Sequence, residues 1–332
     1  DYLKPYLYLD IFDKVVVPII SCGSEIWGIF NIQTARYKKF QSPNYLYEEF
    51  IGEKLHTKLC KILLGVNKST SNIATRAELG RYPLMINILV NMVSYRSRLE
   101  NIDENSLLHQ SFIDDQLLDS YGHPGWYSCT NEILRTFNIR NDIFKFSNKV
   151  LRKRVTKTLQ QSYDIYFKTL IFEDKRKDNN EKNKLRTFRK FKYYITYEKY
   201  LNLDIKKDII KKYTQFRLSS HKLQIETARH IKPSDDRNNQ KLLARKCKLC
   251  NTNKDEDELH FMLECPAYSN ERELYLHEIH KICNNTKTLP LEELFIWLLS
   301  NEEPIINRLN TKFVSNCFVH RDTLMKQRQP TT

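Results

Sequence analysis

Glycine is scarce in this chain: there are seven in 332 residues and none beyond Gly125, where average usage would be roughly 7%. The 207 residues after Gly125 therefore cannot build a Gly-rich phosphate cradle. The spacings before it fit neither G-x-G-x-x-G nor the P-loop pattern, so P-loop NTPases, nucleotide-dependent kinases and dinucleotide oxidoreductases are excluded as first readings. Long apolar runs are missing too. The longest, such as Val15–Ile20, is interrupted by Pro18 and falls far below the ~18 residues a membrane helix needs. No membrane partner is expected, and the absence of a basic-then-apolar leader predicts an intracellular location, in nucleus or cytoplasm. The eight cysteines are too sparse for a disulfide scaffold. Because only Cys247 and Cys250 lie close together, they suggest a metal site in a reducing compartment instead.

What is present favours helices. Leu, Ile, Lys and Glu are abundant, and apolar residues such as Leu55, Leu59, Ile62 and Val66 recur every three to four positions, with Gly65 placed to end a helix. Ser71 or Asn72 can cap a short helix ending near Gly80, and Pro83 can open another that runs to about Leu99. From about Asn131 to Tyr213, helix breakers are nearly absent, which predicts several long helices interrupted near Asp178–Asn183 and near Leu203. Lys232–Gln240 reads as a linker. Helices are expected again near 269–283, 290–300 and 304–319. The fold class expected is mainly α with one small cysteine-containing knuckle.

Charge is unevenly distributed. Between Lys145 and Lys232 there are 25 Lys or Arg against 9 Asp or Glu, a net of +16, while the remainder carries 29 against 31. Arg186, Arg189, Lys190 and Lys192 in this block interleave with aromatics that include Tyr193 and Tyr197. Cations neutralise phosphates, and exposed aromatic faces stack on unpaired bases, so RNA or DNA is the expected partner. Arg189, Lys190 and Lys192 are expected at the surface. An acidic protein bound by the same block is the alternative.

Cys247, Cys250, His260 and Cys265 form a C-x2-C-x9-H-x4-C arrangement. Three thiolates and an imidazole at this spacing can close a tetrahedron around a structural Zn²⁺ and leave no open position for activating water. Arg245, Lys246 and Lys248 are expected to offset its charge. His277, His280 and Cys283 also share a helix face and read as ordinary helix residues. Phe112-Ile-Asp-Asp115 matches the F-x-D-D pattern of polymerase sites, which needs a turn between strands. Its flanks, Leu107, Leu108, Ile113, Leu117 and Leu118, have a helical period instead, and no catalytic residue is assigned.

Three stretches then combine. Val17-Pro-Ile-Ile-Ser-Cys-Gly-Ser-Glu-Ile-Trp-Gly28, the span from His56 to Leu84 with ILLGVNKSTSN and AELGRYPL, and Arg217-Leu-Ser-Ser-His-Lys-Leu-Gln-Ile-Glu226 followed by Arg229 precede the CCHC knuckle in that order. Together they resemble the C-terminal part of the reverse transcriptases of LINE-type non-LTR retrotransposons. Cys22 stands where an aromatic is usual and Ala228 where Gly is. The resemblance implies a thumb-like helical region at 1–130, a basic helical linker region at 131–240, a zinc knuckle at 241–275 and C-terminal helices at 276–332. It also implies that palm and fingers lie upstream, as partners of this chain, so that the chain alone does not polymerise. Arg186, Arg189, Lys190, Lys192, Arg217 and Arg229 are then the expected phosphate contacts, with Tyr193 and Tyr197 as stacking residues and His221 as a local orienter. The alternative is a stand-alone zinc-containing interaction protein derived from such an element.

Overall fold

The computed structural model describes residues 4–28, 47, 50–176, 184–231 and 240–328. It is mainly α. Among the described residues, β pairing is limited to two isolated bridges, Leu79 with Tyr197 and Lys246 with Asp255, and no helix is long and apolar enough to cross a membrane. The expected linker at 232–239 lies outside the described residues. Two compact units are present, and each is assembled from segments distant in sequence.

One unit comprises Tyr6–Leu59 and Tyr82–Lys168. Its centre is the Met85–Glu100 helix, which buries Met85, Ile88, Leu89, Met92 and Val93 among others. That helix follows Pro83 as its sequence predicts, and the Glu53 carboxylate accepts the Leu84 backbone N–H at 2.7 Å, occupying a donor that the first turn leaves without a helical partner. The Phe112-Ile-Asp-Asp115 run lies within the Leu107–Ser120 helix, capped by Ser106. Asp115 has a structural task there: its Oδ2 accepts the Tyr127 N–H at 2.6 Å at the start of the Trp126–Thr136 helix. A Cβ on Gly125 would fall 1.9 Å from Asp115 Oδ1, so this approach requires glycine. The Asn148–Arg176 helix buries Leu151, Val155, Leu159, Tyr163 and Phe167, an apolar contact line that repeats every four residues.

The other unit comprises Asp1–Pro5, Cys60–Arg81 and Thr169–Thr332. The Lys207–Arg217 helix packs on the Pro304–Gln327 helix, and the Ser269–Ile282 helix contributes Tyr275, whose ring stacks on Phe313 at 4.2 Å. Phe216, Phe261, Tyr268 and Phe318 form an aromatic core beside them. The long helix expected between the breaks near Asn183 and Leu203 is corrected: from 184 to 203 only Phe188–Phe191 and Lys199–Asn202 are helical. Tyr193-Tyr194-Ile195-Thr196-Tyr197 is aromatic and β-branched, which favours extended backbone. Tyr197 pairs with Leu79 next to Gly80, whose φ is 63°. Cys60–Arg81 belongs to the same unit as the segment that begins at Thr169.

Candidate functional site

The knuckle is built from a short hairpin and one tight helical turn. Cys247 N–H donates to Lys254 O at 2.9 Å and Glu256 N–H to Arg245 O at 2.8 Å, which folds the C-x2-C segment back on the acidic stretch that follows it. The His260–Glu264 turn closes with Cys265 N–H donating to His260 O at 2.7 Å, bringing the last two ligands onto the first two. All four ligand atoms of Cys247, Cys250, His260 and Cys265 lie within 4.8 Å of one another. Cys247 Sγ and Cys265 Sγ are 3.8 Å apart, and Cys250 Sγ is 3.4 Å from His260 Nε2. A tetrahedral ion with metal–sulfur and metal–nitrogen bonds of about 2.3 and 2.0 Å requires edges of roughly 3.8 and 3.5 Å, so this group can hold a metal ion.

The thiols and the imidazole act strongly on one another. Hydrogen bonding to Cys265, joined by His260 and resisted by burial, pushes the Cys247 thiol down to about 3. The same contact, with burial, holds the Cys265 thiol well above its ordinary range. Burial pulls His260 down, but Cys247 and Cys250 outweigh it and bring the imidazole up to about 9. Glu264 Oε2 lies 3.4 Å from His260 Nδ1, the carboxylate–imidazole arrangement that orients a metal-binding ring, and the Asp257 carboxylate accepts the His260 N–H at 2.8 Å. Of the three cations expected to offset the site's charge, Lys248 is exposed. Lys246 pairs with Asp255 at 2.9 Å, Arg245 is buried, and it is Arg272 and Arg328 that donate to the carbonyls of Cys265 and Leu249, at 2.9 and 3.2 Å. His280 Nδ1 contacts Thr286 Oγ1 at 2.8 Å, a structural arrangement for that helix.

The acidic residues between Cys250 and His260 tie the knuckle to the rest of its unit. Glu258 receives Arg186 at 2.6 Å, Thr187 at 3.0 Å, Ser219 at 3.1 Å and His221 Nε2 at 2.9 Å. Burial pushes this carboxyl up, but Arg186 and His221 outweigh it and keep it well below the usual carboxylate range. Glu256 accepts two bonds from Arg321, both 2.7 Å, and one from Gln224 N–H at 2.8 Å. The Leu223 N–H donates to His221 Nδ1 at 3.3 Å, which leaves Nε2 as the donor to Glu258. The Arg217–Glu226 stretch and the knuckle therefore form one hydrogen-bonded framework.

This framework absorbs much of the basic run expected at the surface, and that expectation is corrected for Arg189 and Lys192, both buried. Lys192 pairs with Glu198 and donates to Thr196 O at 2.7 Å. Arg217 is 1% exposed. It contacts Glu78 at 2.5 Å, Glu198 at 2.9 Å and Leu299 O at 2.5 Å, with the Phe191 ring centroid 4.5 Å away. Arg186 binds Glu226 and Glu258, each at 2.6 Å, and Arg229 binds Glu226 at 2.8 Å. Lys190 reaches Glu292 at 2.5 Å from a partly exposed position. Tyr193 is exposed, its hydroxyl donating to Lys190 O at 2.9 Å, and Tyr197 donates to Asn202 at 2.9 Å. Guanidinium groups at these depths require carboxylate partners, which come from far away in sequence for Arg186 and Arg217 and from three residues away for Arg229.

Glu78, Glu198, Glu256, Glu258 and Arg321 escaped the sequence reading. The signal available for two of them was Asp255-Glu256-Asp257-Glu258, four acids in a row separated from His260 by Leu259 alone. Comparison of the chain with protein-family models, curated proteins and solved structures finds no match.

Proposed function

We propose that this chain is the nucleic-acid-binding C-terminal portion of a LINE-type reverse transcriptase, carrying a structural Zn²⁺ on Cys247, Cys250, His260 and Cys265. The zinc reading is carried by the four-ligand geometry: three sulfurs and one imidazole nitrogen are the donor set of a closed structural site. The nucleic-acid reading is supported by the net +16 block between Lys145 and Lys232 and by the ordered motif set that ends in the knuckle. The ion's role is to tie Cys247 and Cys250 to His260 and Cys265, and through them to hold the Glu256 and Glu258 carboxylates in place. Polymerisation is assigned to a palm upstream, with no catalytic residue in this chain.

Elemental analysis of protein purified without added metal tests the zinc reading, with one Zn²⁺ per chain expected. Cys250→Ser with Cys265→Ser should abolish it and Cys60→Ser should preserve it. Retained stoichiometric zinc in the double variant would overturn the assignment. For the partner, competition between a labelled RNA and polyglutamate separates the nucleic-acid reading, in which RNA wins at equal charge, from an acidic-protein binder, in which it does not.

A further inference from the structure

The Arg186–Lys192 cations are engaged within the fold, so the surface that meets a polyanion has to be sought elsewhere. From Lys145 to Tyr163 the chain has six Lys or Arg and no Asp or Glu, and this stretch lies wholly in the unit built around Met85–Glu100. In the Asn148–Arg176 helix, Leu151, Val155 and Leu159 are at most 1% exposed. Lys149, Lys153 and Lys157 each sit two residues before one of them, about 200° round the helix, and all three are exposed. They form a line on the outer face, about 6 Å apart along the axis, a spacing comparable to that of neighbouring phosphates on one strand.

The flanking cations keep their charge available. Arg152 donates to the neutral Asn91 amide at 2.8 Å, and Arg154 lies over the Phe146 ring at 3.8 Å. At the start of the helix the surface opens into a groove of about 600 Å³ whose lining includes Ser97, Arg98, Asn101, Phe144, Lys145 and Ser147. Arg98 and Lys145 are exposed there. Polar donors, an aromatic wall and two cations suit an unpaired base with its phosphate, which a closed duplex cannot deliver.

We propose that Lys149, Lys153 and Lys157, with the groove lined by Arg98 and Lys145, form a track for a single nucleic-acid strand. This rests on the nucleic-acid reading above and moves its contact surface away from Arg186–Lys192. The lysines hold consecutive phosphates, and the groove takes a base at the end of the line.

The experiment is a salt titration by fluorescence anisotropy, using a fluorescein-labelled 20-nucleotide oligouridine and a DNA duplex of the same length. Wild type is compared with a Lys149→Gln, Lys153→Gln, Lys157→Gln variant and with an equal-charge control at the exposed Lys281, Lys312 and Lys326. Each phosphate contact contributes about 0.7 to the single-strand slope of log K against log salt. The track variant should therefore show a slope shallower by about 2 and at least tenfold weaker oligouridine binding near 0.1 M salt, with an unchanged circular dichroism melt, while the control keeps the wild-type slope. Equal slopes for wild type and track variant, or equal losses in track variant and control, would overturn the track while leaving nucleic-acid binding intact. Duplex affinity matching that for oligouridine, with the same slope change, would overturn its single-strand character. Absence of salt-dependent binding by wild type to either probe would instead remove the parent reading.

Discussion

Between Arg186 and Lys192 four of seven residues are cationic, and between Lys145 and Lys157 six of thirteen. The first run meets carboxylates from Glu198, Glu226 and Glu258, so Arg186 and Lys192 become part of the interior polar framework, while Lys190 pairs with Glu292 at the surface. The second run lies on a helix whose apolar line faces inward, and no carboxylate occurs between Lys145 and Tyr163. Local charge density is similar in the two runs, and the difference is made by carboxylates 6 to 102 positions away. A window of composition reports how many cations there are. It does not report whether their charge is already used.

The comparison breaks most sharply at Arg217. Removing one member of a buried ion pair strands the other, so Arg217→Met should cost about 3–5 kcal/mol, read as a lower urea midpoint with an unchanged m-value. A loss below about 1 kcal/mol would place Arg217 with the surface cations. A smaller effect is expected at the carboxylate that caps a helix: Asp115→Ala should cost about 1 kcal/mol, measured the same way, and should leave metal content unchanged. An unaltered midpoint would remove the capping role.

Acid should also separate the two regions. Burial raises the Glu198 carboxyl, but Arg217 and Lys192 outweigh it and lower it from its ordinary range. A carboxylate lowered in the folded state contributes stability that is present above the unfolded-state value, about 4.3. That contribution is lost as pH falls through the lower folded-state value. Wild type should therefore lose stability progressively below about pH 4.3, and Glu198→Gln should be less stable at neutral pH with a flatter acid limb. Parallel pH profiles for the two proteins would exclude Glu198 as a contributor. The smallest effect belongs to the exposed run, where Lys153→Gln should shift stability by no more than about 0.5 kcal/mol.

Legibility from sequence followed the range of the interactions. The helices at Asn72–Glu78, Met85–Glu100, Ser269–Ile282 and Leu291–Ser300 were readable because caps, prolines and apolar periods are local. The four metal-ligand candidates were readable because their spacing is itself the signal. The helical setting of Asp114 and Asp115 followed from the period of their neighbours. What could not be read was the destination of Arg189, Lys192 and Arg217, because an isolated cation has the same appearance in sequence whether it meets water or Glu78. The extended path of Tyr193–Tyr197 was also missed, since absence of glycine and proline permits a helix without requiring one.

The carboxylates of Glu256 and Glu258 sit between two pairs of sulfur and nitrogen donors, yet their cations, Arg321 and Arg186, belong to segments outside 241–275. The knuckle is therefore not portable. A peptide cut at those boundaries would keep its donor set but expose two acids whose guanidinium partners lie elsewhere, and the remainder would hold Arg321 without Glu256 and Arg186 with Glu226 alone. Grafting or deletion at this end of the molecule should respect the carboxylates' reach rather than the cysteine spacing.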